Sequence, residues 1–153
     1  MAQTFSASAS GKVTAGTGTA TVSISPASGD SVLIVGVWNE NDTAPSSVKY
    51  NGQDMTLIRT NSLSSGMKLY YLANPTPGAN NIVVVRGTTT YSMHVLGVTY
   101  KEVSVVSFPD ASTDAGDTGS NITTYDTTLS SVADKCVFLL FALEDNGHPL
   151  GTD

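Results

Sequence analysis

The sequence predicts an all-β protein folded as a two-sheet antiparallel β-sandwich, of jelly-roll or immunoglobulin-like topology. Three observations lead there. Strand-like segments, about nine or ten of them, recur at spacings of about 8–12 residues between turn signals. No segment keeps a helical period between caps. Charged residues make up only 13% of the chain against 40% hydrophobic ones, and Ser, Thr, Gly and Asn take the place of the missing charge. Thr suits a pleated surface, while Ser, Gly and Asn suit turns.

Taken in order, residues 2–25 alternate only weakly, and "TATVSIS" (19–25) is the best strand among them, with Val22 and Ile24 on one face. "SPASGD" (25–30) is a turn, because Pro26 and Gly29 break any regular element. "SVLIVGVW" (31–38) is apolar almost throughout, as expected of a central core strand. A polar loop, "NENDTAPSS" (39–47), leads into "SVKYNGQDMTLI" (46–57). There Asn51-Gly52 separates two alternating runs, and both residues tolerate the positive φ that a tight hairpin turn demands. "MKLYYL" is a strand, and "NPTPG" a loop in which Asn74, Pro75, Pro77 and Gly78 shape the turn. "NIVVV" is a β-branched strand. "TYSMHVLGVTY" (90–100) alternates, with Tyr91, Met93, Val95 and Gly97 on one face and Ser92, His94, Leu96 and Val98 on the other. "VSVVSF" (103–108) extends it or forms a short strand of its own. Beyond lie a polar loop (109–121), a modest strand (122–131) and a second strong core strand, "KCVFLLFAL" (135–143). "SPASGDSVLIVGVWNEN" and "SSVADKCVFLLFALEDN" echo one another, as two core strands with the same needs do.

A chain of 153 residues fits one domain, and the sandwich is expected over 1–153 with an N-terminal arm (about 1–12) and a C-terminal tail (about 144–153). Net charge is −6 and the pI about 4.6, with no Lys/Arg cluster. Phosphate backbones and anionic membrane surfaces would be repelled, so neither nucleic acid nor membrane is an expected partner. No apolar run is long enough to span a bilayer. The one cysteine, Cys136, cannot pair within the chain and reads as a small buried apolar side chain. The start, "MAQTFSASASGK", lacks a basic segment followed by an apolar one, so the expectation is no secretory signal and synthesis in a host cytoplasm.

Focused chemistry is hard to find. No Gly-x-Ser-x-Gly elbow occurs, and the two histidines, His94 and His148, are far apart. One Cys and two distant His do not make a zinc set. Calcium prefers oxygen ligands, which "NEND" (39–42), "DASTDAGD" (110–117) and "EDN" (144–146) could offer, but without EF-hand spacing. The expectation is therefore no cofactor, with calcium as the alternative, and no enzymatic activity. A sugar-binding platform could be built on Trp38 or Tyr71, although most tyrosines should pack in the core or across strands.

"VKYNGQDMTLI" followed by "MKLYYLANPTPGANNIVVV" resembles a β-sandwich domain of tailed-phage structural proteins and bacterial surface proteins, over about residues 20–103. The shared features are a Tyr-Asn-Gly hairpin, a Tyr-Leu-x-Asn-Pro strand end, a Gly turn and a β-branched strand. The resemblance implies a sandwich without catalytic residues. In such relatives the chain often runs on past the last strong strand, whereas here it ends soon after "FALEDN", so a neighbour could supply a strand by edge pairing. The expected function is that of a virion structural protein: a capsid decoration (cement) or head or tail accessory subunit, located in the virion. Its expected partners are capsid or other virion proteins and further copies of itself, a trimer above all. Phe5 at one end and His148, Pro149 and Leu150 at the other are the expected docking arms. The alternative is a glycan- or host-surface-binding module of lectin or adhesin type, using the loops at 39–47, 74–80 and 110–121.

Overall fold

A computed structural model describes residues 3–39, 44–60, 67–87 and 92–105. Among these residues there are nine strands: β1 Thr4–Val13, β2 Thr19–Ile24, β3 Asp30–Asn39, β4 Pro45–Tyr50, β5 Gln53–Asp54, β6 Thr56–Thr60, β7 Met67–Ala73, β8 Asn80–Arg86 and β9 Met93–Lys101. They form two antiparallel sheets, a five-stranded one in the order β1-β9-β3-β7-β6 and a four-stranded one in the order β2-β8-β4-β5. The sandwich expected from the sequence is thus the observed fold.

The pairings nest. β1 pairs with β9, β2 with β8, β3 with β7 and β4 with β5. A single two-ply ribbon, closed at the Asn51-Gly52 turn and wound over itself, has this pattern, which is the jelly-roll winding. Both turn residues lie at positive φ, 47° for Asn51 and 79° for Gly52, as a tight hairpin requires. The second arm of that hairpin is shorter than its alternation suggests. β5 holds only two residues, after which Met55 points into the core and β6 continues in the other sheet.

Between the sheets, side chains from alternate positions interlock. Leu33, Val35 and Val37 of β3 and Met93 and Val95 of β9 face Ala20, Val22, Ile24, Val48, Tyr50, Ile82 and Val84 of the other sheet. All are buried, most of them completely.

The N-terminal arm expected over residues 1–12 is corrected here: Thr4–Val13 is a strand, paired with β9 from Thr4↔Lys101 to Val13↔Met93. Its core side carries Ala7, Ala9 and Val13, half-buried small side chains that give little hydrophobic contrast to the eye. The smallness is required, because a Cβ at Gly11 would sit 2.7 Å from Val22 Cγ2 of the facing sheet. Phe5 therefore sits on a strand rather than on a free arm. His148, Pro149 and Leu150, the C-terminal tail and the expected strands at 122–131 and 135–143 lie outside the described residues.

Polar contacts hold the ends of the roll. The Tyr50 hydroxyl donates to the Thr76 carbonyl at 2.6 Å and accepts from Asn80 Nδ2 at 3.2 Å. That ties the Asn-Gly hairpin to the proline loop. The loop is itself docked on the start of β3 and the turn before it, with Asn74 N donating to Ser31 O and Gly78 N to Pro26 O. Asn74 (φ 48°) and Gly78 (φ 88°) shape it, Pro75 is buried and Pro77 exposed. At the other end, buried Arg86 donates to the carbonyls of Thr17 (2.8 Å) and Thr14 (3.0 Å), fastening the β1–β2 connection.

Removing the Tyr50 hydroxyl leaves the Thr76 carbonyl and Asn80 amide without this shared partner. Tyr50→Phe should cost about 1–2 kcal/mol, read as a lower urea midpoint with an unchanged m-value. Burial raises the Tyr50 phenol above its ordinary value, the Asn80 hydrogen bond lowers it and the Asp30 carboxylate raises it, for a net upward shift. Burial alone raises Tyr70 and Tyr100. A pKa higher in the folded than in the unfolded chain gives stability that is complete below the unfolded value and is lost as pH rises through the folded one. The tyrosines' contribution to stability should therefore be level below about pH 10 and fall above it, and Tyr50→Phe should shallow that fall in urea melts taken across the alkaline range.

Candidate interaction face

The outer face of a sandwich sheet is ordinarily polar. That of the five-stranded sheet is not. Pairing registers place the outward side chains in rows across the strands. One row runs Phe5, Tyr100, Val32; the next runs Ser8, Val98, Ile34, Tyr71; a third runs Ser10, Leu96, Gly36, Leu69; a fourth runs Lys12, His94, Trp38, Met67. Val32, Ile34 and Val98 are 0%, 4% and 6% exposed and form a second apolar cluster, separate from the core between the sheets. Ile58, Tyr71, Leu96 and Tyr100 pack around it, joined by Val103 and Val105 from the chain that follows β9. The expected short strand at 103–108 is thus not a strand in its described part, 103–105.

Local structure explains why the face is so built. β3 alternates between two apolar sets, Leu33, Val35 and Val37 inward and Val32 and Ile34 outward, so the continuous run from Val32 to Val37 serves two cores. β9 repeats the device, with Val95 inward and Leu96 and Val98 outward. At one edge the face ends in Phe5, which is 55% exposed and meets Tyr100 edge-on with ring centroids 6.0 Å apart. At the other end Trp38 and His94 lie 5.2 Å apart, tilted by 58°. His94 therefore stands on an interior strand of the sheet, against an aromatic ring.

The two residues named as sugar platforms, Trp38 and Tyr71, come together on this one face, two rows apart. Tyr50 and Tyr70 are core residues, as expected of most tyrosines. The turn residues Asn51, Gly52, Asn74, Pro75, Pro77 and Gly78 cluster around Tyr50 at the roll's end and serve the fold. The acidic stretches considered for calcium fall outside the described residues except for Asn39. Among the described residues no three His, Cys, Asp or Glu side chains are grouped to hold a metal, and no helix is long and apolar enough to cross a membrane. Sequence reading missed the outer cluster as a unit. Its signal was present in the unbroken run "VLIV" and in Leu96 and Val98, which share with Ser92 and His94 the second face of β9.

Comparison with protein-family models, with curated proteins and with solved structures finds no match to this chain.

A side chain on a solvated outer face contributes little to stability. Ile34 should behave otherwise: Ile34→Ala is expected to cost about 2–4 kcal/mol in urea unfolding, as in a core, rather than the roughly 0.5 kcal/mol of a surface site.

Proposed function

We propose that this chain is a virion structural subunit, a capsid decoration (cement) or head or tail accessory protein that acts by contact area. The observation that carries the reading is β1. Among the described residues it is a ten-residue strand at the edge of the five-stranded sheet, with no proline and with Lys12 as its only charge. Natural edges are normally kept short or guarded with charge and proline, because an open edge pairs with other chains. Here the edge also presents exposed Phe5, so it offers a partner both backbone and an aromatic anchor. The jelly-roll winding supports the reading by analogy, since it recurs in viral capsid domains. The proposed partners are capsid proteins and further copies of this chain in a closed ring, a trimer above all. Such a ring stabilises a shell by binding only its assembled state.

A second reading has one specific observation in its favour. Jelly rolls also occur in lectins, and the Trp38–His94 pair flanked by Met67 and Lys12 is the kind of aromatic surface a sugar ring stacks on.

Light scattering after size exclusion measures the absolute mass, and sedimentation with capsids stripped of accessory proteins measures shell binding. A closed oligomer that sediments with the shells is the expected result. Phe5→Asp should weaken shell binding at least about tenfold while lowering urea stability by about 1 kcal/mol or less. A monomer that ignores the shells, but binds a glycan array and loses that binding on Trp38→Ala, overturns the structural reading in favour of the second.

A further inference from the structure

The closed end of the ribbon carries a reactive dipeptide. In Asn51-Gly52 a side-chain amide precedes a backbone nitrogen with no Cβ beside it. Both residues are exposed, and among the described residues no atom beyond the chain neighbours lies within 4 Å of the place a Cβ on Gly52 would take. The Gly52 nitrogen can therefore attack Asn51 Cγ. A C–N bond forms, the Gly52 amide proton leaves with the side-chain NH2 as ammonia, and a succinimide remains. Water then opens the ring. Opening at the side-chain carbonyl gives aspartate. Opening at the main-chain carbonyl gives isoaspartate, whose backbone runs through Cβ and is one atom longer.

The fold holds the two reacting groups apart. Tyr50 pairs with Gln53 across a two-residue loop, and φ is 47° at Asn51 and 79° at Gly52, which makes the turn type I′. That type sets ψ of its first central residue at about 30°, leaving the Gly52 nitrogen about 150° of rotation away from Cβ and the side chain it must attack. Ring closure needs the nitrogen and Cβ eclipsed. Turning ψ that far swings everything after Asn51 off β4. The Tyr50↔Gln53 and Lys49↔Asp54 pairs open, and the 2.9 Å bond from Met55 N to Val48 O breaks. Met55, buried in the core between the sheets, is pulled from it. A buried side chain thus locks an exposed turn.

We propose that Asn51-Gly52 is a latent site of self-modification: the amide is lost only when the β5 arm opens, and isoaspartate then keeps the closed end from re-forming. An extra backbone atom does not fit a two-residue loop whose register is held by Tyr50↔Gln53 and by Asn51 N donating to Asn81 O at 3.0 Å. Chains that stay shut keep the amide, and chains that open are marked irreversibly. The proposal is independent of the virion reading, which rests on the edge of β1, and of the sugar reading at Trp38.

Peptide mapping by mass spectrometry separates Asn51-Gly52 from the chain's other Asn-Gly, at 146–147, and follows amide loss in the full chain in mildly alkaline buffer. In the native chain the loss at Asn51 should run at least about 100-fold slower than in guanidinium chloride at the same pH. Met55→Ala frees the arm and should speed the native rate at least about tenfold, while amides of β3 and β9 keep their hydrogen-exchange protection. Asn51→Asp carries the charge of the ordinary product on an ordinary backbone and should keep the wild-type urea midpoint. Isoaspartate chains separated from aged protein should show a lower midpoint and lost amide protection at Tyr50 and Gln53. Native amide loss at the unfolded rate overturns the proposal without recourse to any variant. A folded Met55→Ala chain that ages no faster overturns it too, as do isoaspartate chains as stable as Asn51→Asp.

Discussion

Everything else in this molecule depends on β3 being dry on both faces. From Val32 to Val37 every residue of that strand is buried. An antiparallel strand in an ordinary sandwich spends one face on the core and gives the other to solvent. β3 cannot, so it must lie inside the larger sheet, between β9 and β7, where neighbours contribute Leu96, Val98 and Tyr71 to its outer side. Val32, Ile34 and Val98 together stand for roughly 5–9 kcal/mol of burial at about 1.5–3 kcal/mol each. That is comparable to the whole net stability of a typical domain, about 5–15 kcal/mol. The outer cluster is thus as much a condition of folding as the inner one.

Around that centre the ribbon is wound by long-range pairing. Thr4 must find Lys101 and Thr19 must find Val85, so few of the ladders can form early from local sequence alone. Topologies of this kind fold slowly, in milliseconds to seconds, because loop closure comes before its reward. The polar contacts then secure what burial has assembled. Tyr50, Thr76 and Asn80 join the hairpin to the proline loop, and Arg86 holds the β1–β2 turn. Surface ion pairs contribute little: Lys49 and Asp54, 2.7 Å apart across the hairpin, are both well exposed.

The functional reading grows from the same economy of charge. A sandwich with few charges offers partners mostly backbone edges, hydroxyls and rings. On the reading proposed above, the edge of β1 with exposed Phe5 is what a neighbouring subunit meets. The Trp38–His94 end of the face stands apart from the apolar cluster, and on the second reading proposed above it is where a sugar ring would stack.

Much of this architecture was legible in the residues. Alternation and turn chemistry located β2, β3, β4, β7, β8 and β9, and Asn51-Gly52 identified the closed end of the ribbon. β1 was not legible, because Ala7, Ala9 and Gly11 are small where the facing sheet comes close, and small residues carry little hydrophobic contrast. The split of the hairpin's second arm at Met55 was hidden too, since β5 and β6 share one continuous alternation while belonging to different sheets. The sequence by itself determined which stretches are strands, where they turn and that the whole is β-sandwich. Only the tertiary structure decided that the winding is a jelly roll, that β1 closes on β9 and that β3 serves two cores. The reason is physical: side-chain alternation specifies the two faces of a strand, but its hydrogen-bonding edges are backbone, alike in every residue but proline, and only packing selects which distant strand completes them.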